Sequence, residues 1–222
     1  MPKVVDRQAR RREIAEALLD IVAESGTNAV TFRAVADRSG WSTGVLGHYF
    51  KNRDDLLLGG LRRASEIAAE RQRAISRTMV GRQSVEAILE EELPLDRRRL
   101  ALTRIFVFFY AEAATDSAVM TEIDGYLAAW RRQTARAVRA AQQLGDLDPT
   151  LDADAAAADL VALTDGLSIH AIFNQSSLER LRRGSPIREW VNRLAPGGRE
   201  TGTAVSVPGR TWAIQEEDDD NG

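Results

Sequence analysis

The 222 residues include no cysteine, which excludes disulfides, thiolate nucleophiles and zinc–thiolate sites. Histidine is almost as scarce: the chain has two, His48 and His170, far apart in sequence and outside any metal-ligand cluster. No catalytic residue, metal or cofactor is therefore assigned, and an enzyme is the weakest of the functional classes considered. No window approaches the eighteen or so apolar residues of a membrane span. The early arginines have no apolar run behind them, so no signal peptide is expected. The expectation is a cytoplasmic protein with no membrane partner. Runs of β-branched or aromatic residues are also rare, while alanine, leucine and arginine dominate, which points to an all-α fold.

Charge is unevenly placed. The net value is −3, weak evidence against a generic nucleic-acid binder. Residues 1–53 nevertheless hold nine Lys/Arg against six Asp/Glu, net +3, and residues 199–222 hold two against six, net −4. A basic head and an acidic tail are what the average hides.

Ile14, Leu18, Ile21 and Val22 recur at helical spacing, so residues from Arg7 to Ser25 form an amphipathic helix stopped by Gly26. Two short helices follow. Thr31 caps the first, which ends at Ser39-Gly40, and Ser42 caps the second; Val30/Val35 and Trp41/Leu46 occupy hydrophobic-staple positions. Asn52 caps a long fourth helix with Asp54 and Asp55 in its first turn. Running to about Met79, it spans roughly 35–40 Å, the length of a connector between a small head and a larger body. The body reads as helices over Ser84–Leu93, Asp96–Ala114, Ser117–Leu144 and Ala153–Gln175, and a last one from Pro186. "IFVFFYAE" (Ile105–Glu112) is apolar all round and should be buried, and the run Glu90-Glu91-Glu92 reads as a solvated face. Three regions follow: a head at 7–53, a helical body at 54–195 and a disordered acidic tail at 196–222.

Two short helices joined by a glycine turn and packed on a longer one make a helix-turn-helix, whose second short helix enters the DNA major groove. Leu46 and Phe50 face inward with Trp41, leaving Thr43, Gly44, Gly47 and His48 outward. Small residues there let the helix axis approach the base edges, so the two glycines supply clearance. Thr43 and His48 are placed to bond bases, and Val45 to touch a thymine methyl. Thr31, Arg33, Ser42, Tyr49 and Lys51 sit at the edges, where phosphates would lie. Lys51 is notable because the chain has only two lysines.

The stretch "TFRAVADRSGWSTGVLGHYFKNRDDLL" resembles the DNA-binding domain of the TetR family of transcriptional regulators, over roughly residues 10–57, through Thr31, Arg33, Ala36, Gly40, Gly44, Tyr49, Phe50, Lys51, Asn52 and Leu56. "LDADAAAADLVALTDGLSIHAIF" looks like the BetI-like branch of effector domains. The resemblance implies a homodimer of all-helical subunits that binds double-stranded DNA at a pseudo-palindromic operator. It also implies, for most members, repression relieved by a small molecule. The last two long helices would build the dimer interface. Phe106, Phe109, Tyr110, Trp130, Asp165, His170 and Asn174 lie on helices that the family places around an effector cavity; satisfied core or interface side chains are the alternative for each. Two departures stand out: Ala34 replaces an acidic residue, so no full capping box forms, and Gly47 replaces a larger base-contacting side chain. An activator of the same fold, and a helical interaction module that has lost DNA binding, remain the rival readings.

Overall fold

In a computed structural model, residues 7–184 and 186–197 are described; the expected acidic tail lies outside the described residues from residue 198 onward. Among the described residues every regular element is helical: α1 (Arg7–Ser25), a 3-10 turn (Thr27–Ala29), α2 (Phe32–Ser39), α3 (Thr43–Tyr49), α4 (Arg53–Thr78), α5 (Gly81–Glu90), α6 (Arg97–Ala113), α7 (Ser117–Gln143), α8 (Ala153–Phe173), α9 (Gln175–Arg183) and α10 (Pro186–Asn192).

Local chemistry sets most boundaries. The Thr31 hydroxyl accepts from the Ala34 amide at 3.1 Å, Ser42 from Val45 at 3.2 Å and the Asn52 carbonyl from Asp55 at 2.8 Å, so three successive helices start on a side-chain cap. Gly40, at φ 74°, ends α2 in the left-handed region, which costs glycine nothing. Asp96, Asp116 and Asp152 cap α6, α7 and α8 in the same way. The sequence pattern runs one helix through Ala153–Gln175, but the chain breaks at Asn174. Its side chain accepts from the Ser176 and Ser177 amides and starts α9, a helix the periodicity does not announce.

The buried side chains form two apolar clusters. One apolar cluster joins Ile14, Leu18, Leu46 and Phe50 of the head to Leu57 of α4, Leu102, Ile105 and Phe109 of α6 and Ile123 of α7. A second holds Val85, Ile88, Val138, Leu160, Val161 and Ile187 from α5, α7, α8 and α10. The head thus shares its core with α6. At Gly59 a Cβ would come within 2.5 Å of the Phe50 ring, and at Gly60 within 2.5 Å of Leu18, so these two glycines let α4 lie directly on α1 and the end of α3.

Trp41, expected inward with Leu46 and Phe50, is half-buried, and Arg10 covers its ring at 3.8 Å. By length and composition α8 is apolar enough to cross a membrane, contrary to the reading of the sequence by windows. Its buried side, with Ala157, Leu160, Val161 and Thr164, packs into the body. An outward stripe of Ala155, Ala162, His170 and Phe173 remains exposed.

Candidate nucleic-acid interface and internal cavity

The third helix is held from behind by cations of α1. Arg7 donates to the His48 carbonyl at 3.3 Å, and Arg11 donates to the Tyr49 carbonyl. Arg11 also lies over Phe50 at 4.4 Å and pairs with Asp55 at 3.5 Å. Cations at the C-terminal carbonyls of a helix oppose its macrodipole. Arg53 donates to the Val30 and Thr27 carbonyls at 2.9 and 2.8 Å, fixing the start of α2. Arg12 pairs with Glu66 at 3.0 Å and Arg38 with Glu24 at 2.5 Å. Within the described head this leaves Arg33 and Lys51 as the two cations whose charged ends have no partner. They flank the outward side of α3, where Thr43, Gly44, Gly47 and His48 are exposed and Val45 is half-buried. A Cβ at Gly47 would meet nothing within 4 Å. Thr31 and Ser42 accept at their caps and keep their hydroxyl hydrogens to donate outward. The Tyr49 side chain is half-buried at the edge. This surface offers donors and small side chains on one face, the requirements of a groove-reading helix.

Head and body are joined by a second set of arginines, on α6. Arg104 donates to the Val22 and Ala23 carbonyls at 3.1 and 2.8 Å. Arg97 pairs with Glu24, and Arg98 with Glu16. Arg63 of α4 reaches Glu16 as well, at 2.6 Å. Burial by itself would raise the Glu16 carboxyl, but the hydrogen bonds and charges of Arg98 and Arg63 outweigh it and hold Glu16 below its ordinary value.

A cavity of about 670 Å³ opens between the two apolar clusters, walled by α4, α6, α7, α8 and the turn after α5. Phe106, Tyr110 and Trp130, together with Asp165, line it, as the family resemblance implies; Gln72, Glu92, Tyr126 and Ile169 complete the wall. Three of the proposed residues lie elsewhere. Phe109 points from α6 into the shared head–body core, where its ring meets Phe108 edge-on at 5.1 Å. His170 follows the cavity-lining Ile169 on α8 and is exposed on the outward stripe. Asn174 is spent as the cap of α9.

The polar end of the cavity is acidic. The Tyr110 hydroxyl donates to Asp165 at 3.1 Å, and Gln72 Nε2 donates to Glu92 at 2.7 Å. Burial pushes the Glu92 carboxyl up to about 7, against the Gln72 hydrogen bond and with the charges of Glu91 and Asp165 adding to it. Burial likewise pushes Asp165 up to about 6, with Tyr110 and Arg131 opposing. Tyr110 is itself raised by burial and by the neighbouring Asp165. Glu92 therefore does not belong to a solvated face, the reading its run of glutamates invites. Glu91 is the one paired at the surface, with Arg71 at 2.7 Å. Sequence reasoning missed both Glu92 and Gln72, since no local pattern marks either residue. The indole Nε1 of Trp130 and the hydroxyl of Thr134, one turn apart, are enclosed without a protein partner.

A helix-turn-helix head packed on a helical body defines the class of helix-turn-helix DNA-binding regulators. Residues 14–59 match the family described as bacterial regulatory proteins, tetR family, and residues 81–201 match the BetI-type transcriptional repressor C-terminal domain. The chain belongs to the TetR family of transcriptional regulators, in its BetI-type branch. It is 29% identical to the HTH-type transcriptional regulator PksA of Bacillus subtilis over 187 residues, 82% of this chain and 89% of the relative. It is 26% identical to the regulator BetI of Escherichia coli over 210 residues, 88% and 99% of the two chains. Among solved structures, a TetR-family regulator from Rhodococcus sp. superimposes with TM-score 0.71 at 24% identity, covering 85% of this chain and all of that one. A regulator from Saccharomonospora viridis in complex with choline gives 0.69 at 24%, covering 83% and 94%. At that identity these two show the fold.

Proposed function

We propose that the protein is a homodimeric repressor that occupies a pseudo-palindromic operator and releases it when a small molecule fills the cavity. The observation that carries the reading is the joint position of the cavity: it is bounded by α4, which the head is built on, and by α6, whose arginines grip α1. A ligand wedged there biases the angle between head and body, and so the separation of the two heads in a dimer. The outward α8 stripe, apolar at Ala155, Ala162 and Phe173 and open beside Gly166, supports pairing of two copies through α8. Two α3 helices would then read half-sites about 34–36 Å apart or a multiple of that. DNA contacts are proposed for Thr31, Arg33, Ser42, Tyr49 and Lys51 at phosphates, and for Thr43, Val45 and His48 at base edges, with Gly44 and Gly47 giving clearance. The protein works in the cytoplasm by binding, not by turnover.

The test is selection of bound duplexes from a random library by the purified protein at near-physiological salt. A pseudo-palindrome should emerge. A folded dimer that enriches nothing would instead favour a helical interaction module. On the selected site, Lys51→Ala should lower affinity equally for all sequence variants and flatten the salt slope by about one unit; an unchanged slope removes Lys51 from the phosphate contacts.

A further inference from the structure

Glu92 and Asp165 are buried carboxyls with no cation bound to either among the described residues. Both face the same cavity, and each charge is felt by the other or by the tyrosine between them. Each has a single side-chain donor, and that donor is neutral: Gln72 for Glu92, Tyr110 for Asp165. No ion pair reaches either one among the described residues. The nearest arginines are engaged or peripheral: Arg71 is held by Glu91, Arg99 by Asp96 and Glu91, and Arg131 is exposed. The fold nevertheless fixes the two carboxyls firmly. The Ser168 hydroxyl of α8 donates to the Glu92 carbonyl at 3.3 Å, tying the helix that carries Asp165 to the turn that carries Glu92. A buried carboxylate without a cation is costly, and two side by side more so. Core packing alone is served better by amides or apolar groups at these positions.

The walls around the pair are aromatic and apolar, with Phe106, Leu127, Trp130 and Ile169, and Phe106 meets Tyr126 edge-on at 6.3 Å. Such a box attracts a cation to its ring faces. At the rim Arg62 is held by Glu122, and Glu66 and Glu70 are held by Arg12 and Arg63, which leaves Arg73 and Arg136 without a carboxylate partner among the described residues to repel a second positive charge at the far end of a ligand. The free lone pairs at the deep end call for N–H donors, which a quaternary ammonium lacks.

Building on the cavity as the effector site, we infer that the effector is an organic monocation with N–H donors, a protonated amine or amidine on an apolar body, held between Glu92 and Asp165. The Gln72 and Tyr110 donors orient the two carboxyls and leave their remaining oxygens to the ligand. Binding completes the ion pairs that the folded protein lacks and draws the turn after α5 toward α8 and α6.

The experiment is a calorimetric titration of the full-length protein with primary amines and amidines on short alkyl and arylalkyl bodies. Each is matched by its trimethylammonium, alcohol and carboxylate analogue, with choline included. The amine or amidine should bind about tenfold or more tightly than its matched analogues. Glu92→Gln and Asp165→Asn should each abolish that preference while leaving operator affinity intact, which shows that the variants fold. Binding should strengthen from pH 6 to pH 8 with release of protons, since the cation favours the ionised carboxyls. The charged or titratable groups facing the pair are Arg71 and Glu91 on the α4–α5 side, Arg99 and Tyr110 of α6 and Arg131 of α7. If no amine outbinds its alcohol, or if choline binds as well as the N–H cations, the inference is overturned. If an alcohol or a carboxylate binds instead and still weakens operator binding, the effector cavity stands and only the cationic class falls.

Discussion

Around α3 every arginine of α1 is engaged by the protein's own groups: Arg7 and Arg11 by carbonyls, Arg10 by Glu13 and the Trp41 ring, Arg12 by Glu66. In the cavity wall, Glu92 and Asp165 have one neutral donor each, and the Trp130 Nε1–H has no protein acceptor. The head is a surface that must keep one shape in order to be read against DNA, and internal pairing fixes it. The cavity holds polar groups whose partners the fold does not supply, and such groups mark a recognition site more reliably than the count of polar residues. Charge in α1 of the head is paired within the protein, then, and charge at Glu92 and Asp165 of the cavity is not. The predictions that follow act on one side of that contrast or the other.

The largest effect belongs to the head's packing. Phe50 is 1% exposed, sits against Gly59 and is covered by Arg11. Phe50→Ala should cost about 3–5 kcal/mol in denaturant unfolding and abolish operator binding. Because the head shares its core with α6, unfolding should remain one transition followed by both far-UV dichroism and tryptophan fluorescence. Two separated transitions would show that the head unfolds apart from α6 and that the shared core does not couple them.

Glu92→Gln acts on the other side. In wild type the folded carboxyl titrates at about 7 and the ordinary value is 4.5. Between those values the unfolded chain has lost its proton and the folded chain keeps it, so stability falls as pH rises from about 4.5 to 7 and then levels off. The amide removes that penalty and still accepts from Gln72. At pH 8 the variant should be more stable than wild type by about 1–3 kcal/mol, with the difference vanishing near pH 4. A variant less stable at pH 8 would mean that the charged form is already compensated, and the contrast between head and cavity would lose its main support.

Between these two regions lies the α6 clamp. Arg104→Met keeps the aliphatic bulk and removes the donors to the Val22 and Ala23 carbonyls, at a cost of about 1–2 kcal/mol. Its sharper readout is coupling. With any cavity ligand that weakens operator binding, the variant should transmit less of that effect while binding the ligand as well as wild type. Full transmission would assign the coupling to α4 alone.

How much of this was legible in the sequence follows from how far apart the interacting residues are. Thr31, Ser42 and Asn52 each cap a backbone amide three residues on, and Gly40 ends α2 by its own backbone freedom, so the helix-turn-helix could be read to within a residue. The cavity is assembled from Gln72, Glu92, Tyr110, Trp130 and Asp165, one from each of five segments, and no local period reports that convergence. Phe109 and His170 were misplaced for a related reason. One residue along a helix turns a side chain by about 100°, so adjacent residues such as Ile169 and His170 serve different faces. Asn174 ends an apolar run and precedes Gln175-Ser176-Ser177, and the helical period carries across it because periodicity does not report whether an asparagine side chain turns back to cap.

The smallest effect is also the one that separates structural from functional economy within the head. Gly47 has helical backbone, open space around its missing Cβ and no role in packing. Gly47→Ala should therefore stabilise the free protein, by up to about 1 kcal/mol from helix propensity. If the position exists to let α3 sink toward the bases, the same substitution should weaken binding to the selected operator while leaving nonspecific, salt-driven affinity nearly unchanged. Stability and specificity would then move in opposite directions from one methyl group. If both rise together, the glycine is a tolerated substitution, and base reading rests on Thr43 and His48 with clearance playing no part.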